Sequence, residues 1–298
     1  MPGVLPNTGK RRIRPVIFGI IVKSGTIAAF LSLLTTIGSL GAQEPRPLRL
    51  QPGYEAAALL FGAAGQILGQ YRLGEMTPAG PADLRKSDLP LWDRFAAGAY
   101  RPAASTASDI LVFAVAGSMT ASDVWDKAHG TASWRPVWED GLILGEALAW
   151  SSALNLNVRA LRLHPRPFVY DSANGSSASD RNAPEAAGSF YSGHASDAFL
   201  GAAYFATVYP LRHPEFRHPG WLWAGSLAAA SSVAVLRVAA GKHFPSDVAA
   251  GAAAGTLLGW GFAKLHESGT DAKTSWRVNA WPLEGGLAVQ AARPFAAW

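Results

Sequence analysis

Cysteine is absent from the 298 residues, so no disulfide can form; an oxidising compartment is permitted but gains no support from the cysteine count. Acid is absent from residues 1–42, which carry Lys10, Arg11, Arg12, Arg14 and Lys23. Five of the 26 basic residues and none of the 21 acidic ones lie there, so the remainder is balanced and the high pI belongs to the leading segment. With that segment set aside, no basic stripe interleaved with aromatics remains, which argues against nucleic-acid binding. Also missing beyond residue 42 is an undiluted apolar run of the roughly 20 residues that a bilayer-crossing helix needs. The best runs, 221–236 and 248–263, are shorter and diluted by Ala, Ser and Gly, and the mean hydropathy is only +0.11. The expectation is a soluble bundle, with a membrane-integral form as the alternative. No stretch before the C-terminal tail has linker composition, so one main domain is expected.

The basic start, the apolar run from Val16 and the small residues Ser39, Gly41 and Ala42 have the shape of a secretory signal. Lys23 interrupts the run, leaving 26–40 as its cleaner core, with cleavage expected after Gly41 or Ala42; an uncleaved anchor is the alternative. The expected organisation is a signal or anchor over 1–42, a helical domain over 43–270 and a tail over 271–298. The expected location is the periplasm after export, or the membrane with the site facing the periplasm.

Apolar patterning predicts helices over 54–73, 108–124, 137–161, 193–208, 221–238 and 246–266. The first has Gly62, Gly65 and Gly69 on one side; the third carries Glu139, Asp140 and Glu146 inside it. In the last, Gly251, Gly255 and Gly259 recur every four residues, a pattern that permits close helix contact inside a bundle. Residues 76–93 read as a loop, with a turn of helix over 82–86. After Gly269 the alternation of Trp276, Val278 and Ala280, then Glu284-Gly285-Gly286, then Leu287 and Val289, reads as a β-hairpin.

Three short stretches carry the chemistry. The first, R-A-L-R-L-H-P-R-P, covers 159–167; the second, S-F-Y-S-G-H-A-S, covers 189–196; the third, R-V-A-A-G-K-H-F-P-S-D, covers 237–247. Taken singly, an Arg or Asp at a helix end is an ordinary terminus or cap, and a lone His is more often structural than reactive. Together they supply what a phosphate needs. Arg159, Arg166 and Arg237 offer permanently charged donor forks, and the seven-residue spacing of the first two puts them two helical turns apart on one face. Ser192 is a natural N-cap, and Gly193 lets backbone N–H groups approach an anion. A neutral imidazole can attack phosphorus if its other nitrogen is held by a carboxylate. His129, His164, His213, His218 and His266 show no metal-ligand spacing and read as surface or core residues.

In that order the three stretches resemble the signature of the type 2 phosphatidic acid phosphatase and vanadium haloperoxidase superfamily, which includes bacterial lipid phosphatases and class A non-specific acid phosphatases. The resemblance extends over roughly 54–266, but it is specific only within the three motifs; Trp92-Asp93-Arg94 resembles a loop that members carry before their second helix. It implies an all-α, six-helix bundle and a metal-independent phosphatase acting on phosphomonoesters or pyrophosphates, lipid-linked ones in particular, through a phosphohistidine. It assigns His243 as nucleophile, Asp247 as its orienter and His194 as general acid and base, with Arg159, Arg166, Ser192, Gly193 and Arg237 binding phosphate. No cofactor is implied, although vanadate would bind as a phosphate analogue. The implied partners are a phosphorylated lipid or small phosphoester, with contact to a membrane surface and no nucleic acid. Arg159, Tyr191 and Leu236 stand where the family usually has Lys, Pro and Ser. Arg159 keeps the charge and Leu236 removes at most one hydroxyl. The alternatives are a vanadate-dependent haloperoxidase using the same cradle, and a non-enzymatic bundle that retains the motifs.

Overall fold

A computed structural model describes residues 47–75, 84–268, 277–283 and 286–292. The expected signal segment, residues 76–83 of the 76–93 loop, Trp276 and the Glu284-Gly285 turn lie outside the described residues. The unit considered is Gln43–Trp298. Its long helices are α1 (Pro52–Gly74), α2 (Pro102–Ala116), α3 (Ser118–Ala128), α4 (Arg135–Arg159), α5 (Gly193–Arg212), α6 (Pro219–Ala239) and α7 (Pro245–His266). The all-α expectation holds for the bundle. At the C-terminal end the expected hairpin is present as antiparallel strands β1 (Arg277–Leu283) and β2 (Gly286–Ala292), with Leu283 paired to Gly286.

The helix starts follow elementary rules. Prolines at the first helical turn open α1, α2, α4, α6 and α7, where the missing N–H costs nothing. The single helix expected over 108–124 is a correction: the chain bends by 55° between α2 and α3. The apolar pattern runs through the break, but Gly117 caps α2 by donating its N–H to Phe113 O, and α5 passes so close there that a Cβ on Gly201 would lie 2.3 Å from Ala116 Cα. Tertiary packing has overridden the local pattern.

Small residues set two close helix pairs. On α1, a Cβ at Gly62, Gly65 or Gly69 would lie 3.0, 2.8 or 2.5 Å from the Cβ of Ala149, Ala153 or Leu156 on α4. On α7, added Cβ atoms at Gly251, Gly255 and Gly259 would lie 2.5, 1.9 and 2.1 Å from the carbonyl oxygens of Ser192, Ser196 and Leu200. The glycine stripe is thus used for packing inside the bundle. Around these pairs Leu48, Met119, Ile143, Leu200, Tyr204, Val208 and Phe262 form the main core.

Two of the acids inside α4, Glu139 and Asp140, share one cation. Arg212 of α5 donates to Glu139 Oε2 at 3.1 Å and to Asp140 Oδ1 at 2.9 Å, so this part of α4 is buried against a cation on the helix beside it. Outward, the surface is apolar: Leu60, Phe61, Ile67 and Leu68 on α1, Trp221 and Val235 on α6, and Leu257 and Trp260 on α7 are exposed. Helices α6 and α7, of 21 and 22 residues, are long and apolar enough to cross a membrane. Residues flanking the two short runs join these helices and extend them to about 32 Å, matching a bilayer core of about 30 Å. Only 22% of the most apolar window of α6 is buried by protein.

Candidate active site

The three motifs meet at one end of the bundle, and the carboxylate of Asp247 joins them. Asp247 stands at the third position of α7, fully buried. Its Oδ2 accepts from the Phe244 N–H at 2.8 Å and from the Ser189 hydroxyl, its Oδ1 lies 3.3 Å from His164 Nε2, and its backbone oxygen accepts from the Ser192 N–H at 3.1 Å. Residues of all three motifs therefore bond to, or touch, this one side chain or its backbone.

His243, 3% exposed, donates from Nδ1 to the Ser189 carbonyl at 2.9 Å. A carbonyl can only accept, so Nδ1 carries the hydrogen and Nε2 keeps its lone pair. This corrects one expectation. Asp247 Oδ2 lies 3.6 Å from Nδ1, beyond a normal hydrogen bond, so the Ser189 carbonyl fixes the tautomer while Asp247 fixes Ser189 and adds its charge. Burial pushes His243 down to about 3, with Arg166 and Arg237 adding to the effect against the pull of Asp247. The ring is neutral at physiological pH, as a nucleophile must be.

Helix α4 stops at Arg159, and Arg166 follows a turn through Arg162, which has a positive φ of 53°. The expectation that Arg159 and Arg166 share one helical face is therefore corrected: the turn brings them together. Burial pushes Arg166 down to about 9, with the neighbouring charges of Arg159 and Arg237 adding to the effect. Arg159 Nε donates to Gly188 O at 3.3 Å, and Arg166 N–H donates to Ala186 O at 2.9 Å, so the 184–188 turn holds both. Buried Arg159 Nη2, Arg166 Nε and Arg237 Nε have no hydrogen-bond partner among the described residues. Unpaired buried donors are costly, and three of them around one place suit an anion.

Ser192 caps α5, its Oγ accepting from Ala195 N at 3.3 Å. A Cβ on Gly193 would lie 3.0 Å from Asn155 Oδ1, and Asn155 Nδ2 donates to Tyr191 O at 2.6 Å. Asn155 thus ties down the turn in which Tyr191 replaces the family's proline. His194 opens α5, with Nε2 2.8 Å from Asp109 Oδ1. Burial pushes it down to about 4, assisted by Arg237 and Arg166 and opposed by Asp109. Both imidazoles thus feel the same two guanidiniums, Arg166 and Arg237.

Residues 140–270 match the family model of the PAP2 superfamily. The match runs from inside α4 to the end of α7 and takes in all three motifs. Comparison with curated proteins and with solved structures finds no match. Helices α1 to α3 lie outside the matched PAP2 region, and with them a residue that sequence reasoning missed. Asp109 of α2 accepts from Arg237 Nη1 at 3.1 Å as well as meeting His194, while Ser108 Oγ takes the same Nη1 at 3.1 Å.

Other residues of the candidate site were also missed. His164, read as a surface or core residue, lies against Asp247, Phe190 and Phe244. Lys242 reaches over the Phe168 ring at 5.1 Å, and after burial the neighbouring charges of Arg166 and Arg237 depress its pKa. Asp93, inside the Trp-Asp-Arg triplet, accepts from Ser246 N at 3.0 Å and Ser246 Oγ at 2.7 Å, fastening that loop to the start of α7. For His164, its place inside the first motif was the available signal; Asp109 offered none.

Proposed function

We propose that this protein is a metal-independent phosphatase of the PAP2 kind that hydrolyses phosphomonoesters or pyrophosphates, lipid-linked ones in particular, through a phosphohistidine. One observation carries the reading: three guanidiniums leave buried donors unpaired beside a neutral imidazole whose Nδ1 is already committed. In the first step His243 Nε2 forms a bond to phosphorus as the bond to the leaving oxygen breaks. Arg159, Arg166, Arg237, the Ser192 hydroxyl and the Gly193 amide take the non-bridging oxygens. Catalysis rests on that positioning and charge. His194 passes a proton to the leaving oxygen, then takes one from the water that attacks the phosphohistidine, and free phosphate leaves with His243 restored. In the free enzyme, burial together with Arg237 and Arg166 keeps His194 neutral at pH 7; the charge of a bound phosphate opposes that depression, and the proton arrives with the substrate.

A lipid-linked substrate is supported by the apolar side chains near the cradle. Leu161 and Leu163, exposed, lie in the turn between Arg159 and Arg166; Leu91, Trp92 and Phe95, also exposed, flank Asp93, which is fastened to Ser246. With α6 and α7 apolar on their outer faces, this favours an exported protein working at a membrane, its cradle on the periplasmic side.

The test is phosphate release by the purified full chain from p-nitrophenyl phosphate and from phosphatidate in detergent, with acid-quenched trapping of the phosphoenzyme. His243→Ala is expected to lose release and trapping while keeping its helical circular dichroism. Release by that variant at the wild-type rate would overturn the nucleophile. Bromination that depends on added vanadate, without phosphate release, would transfer the site to the haloperoxidase reading.

A further inference from the structure

At the opposite end of α7 from the cradle, three helices bring a second set of chemical groups together. Glu55 of α1, Glu146 of α4 and His266 at the end of α7 each offer a ligand atom, all lying within 4.8 Å of one another, and all three residues are buried. His266 Nδ1 lies 2.7 Å from the Phe262 carbonyl, which can only accept, so Nδ1 carries hydrogen. Its Nε2 then faces Glu55 Oε2 at 3.0 Å and Glu146 Oε2 at 3.8 Å. A lone pair set against carboxylate lone pairs is repulsive unless something positive lies between them.

Glu146 sharpens the point. It is 0% exposed, and neither of its carboxylate oxygens has a hydrogen-bond partner among the described residues. The ion pairs of Glu55 and Glu146 among those residues run to His266 alone. With both carboxyls ionised, even a charged imidazole would leave one buried negative charge uncompensated, which costs several kcal/mol in a protein interior, so the cluster has to take up either a proton or a cation.

We propose that Glu55, Glu146 and His266 bind a divalent cation of the zinc type, which clips α1, α4 and the end of α7 together. Metal bonds of about 2.0–2.1 Å in a tetrahedral site place ligand atoms about 3.3 Å apart, and the observed 3.0 and 3.8 Å straddle that value. The Nδ1–H bond to Phe262 O is the backbone contact that orients a ligating imidazole and fixes its tautomer. One nitrogen and two carboxylates suit zinc better than magnesium or calcium, which prefer six or more oxygens. The Tyr54 ring packs against His266, with the two ring centroids 5.6 Å apart.

The clip takes no part in phosphate chemistry. Glu146 and Arg159 lie on the same helix, and their separation in sequence corresponds to about 20 Å along its axis. Its failure and the failure of the phosphatase reading are therefore separately visible.

The test uses the full chain, freed of any histidine tag, stripped with a chelator and then supplied with Zn2+. One zinc per chain should remain after desalting, with a melting temperature several degrees above that of the stripped protein. Glu146→Gln should lose both, while wild-type phosphate release below the melting range is the same with and without zinc. If Glu146→Gln does not fold, Co2+ titration of the wild type decides, through the intense visible bands of a tetrahedral site and their displacement by Zn2+. The proposal is overturned if the wild type retains no zinc, or if Glu146→Gln retains as much as the wild type. It is equally overturned if zinc leaves the melting temperature unmoved while Glu146→Gln matches or exceeds wild-type stability, the mark of a proton shared between the two carboxyls.

Discussion

Replacing Asp109 by Asn isolates what this carboxylate does for His194. It sits 2.8 Å from His194 Nε2 with its side chain 51% exposed, so its field is partly screened by water. With the dielectric of water, unit charges at this distance attract by about 1.5 kcal/mol, equivalent to about one pKa unit. The half-exposed position keeps the effect near that lower limit. Asp109 raises the proton affinity of His194, so its loss lowers the pKa further and the protonated acid disappears at lower pH. In a kcat profile, which reports the enzyme–substrate complex, the alkaline limb should move down by about one unit. Above the limb kcat should fall about tenfold, and well below it kcat should be unchanged. Arg237 keeps its contacts to Ser105 and Ser108, so KM should change little, and Asp109→Glu should restore the limb. An alkyl phosphate shows the effect more strongly than p-nitrophenyl phosphate, whose leaving group needs less proton assistance. A uniform loss of kcat with an unmoved limb would refute the reasoning and reduce Asp109 to a brace for Arg237.

Inorganic phosphate or orthovanadate at a hundredfold excess over its Kd should stabilise the protein by about 2.7 kcal/mol, read as a thermal shift of about 5–10 °C; Arg166→Gln should shrink that shift, and a wild type that does not respond would count against the cradle. Gly255→Ala places a Cβ 1.9 Å from the Ser196 carbonyl, an overlap of backbone on both sides that should cost about 3 kcal/mol or more. Gly261→Ala on the same helix meets nothing within 4 Å and should gain up to about 1 kcal/mol from helix propensity. Thermal melts of the two variants should therefore shift in opposite directions.

How much of this was legible in the sequence follows from how far apart the interacting groups lie. The arginines, His243 and Asp247 stand in short motifs whose members are close in the chain, and Ser192 announces its helix by local capping chemistry. Asp109 reaches Arg237 across 128 positions and His194 across 85, with nothing in its own helix to mark it. The Glu55–His266 contact spans 211 positions, so spacing rules for metal ligands had nothing to act on. The α2–α3 break was hidden for a similar reason: its cause is α5 pressing on Ala116, while the local pattern reads as one helix. The role of the Ser189 carbonyl was invisible because backbone acceptors carry no residue signature. Glu139 and Asp140 of α4 were visible, but their shared cation, Arg212, lies on another helix.

Packing and chemistry in this protein are set by one feature, the glycine face of α7. Gly251 comes one turn after Asp247, and its missing side chain lets the Ser192 carbonyl approach. The same approach lets the Ser192 N–H reach the Asp247 backbone oxygen at 3.1 Å, which fixes the N-terminus of α5 against the carboxylate that holds Ser189. Gly255 and Gly259 repeat the contact on the next two turns and lock the register of α5 on α7. A slide of one helix past the other by a single residue would move Ser192, Gly193 and His194 about 1.5 Å relative to His243, which is enough to spoil alignment for an in-line displacement. The alanine- and glycine-rich sequence that dilutes the hydropathy of α7 is therefore also what holds the second and third motifs together.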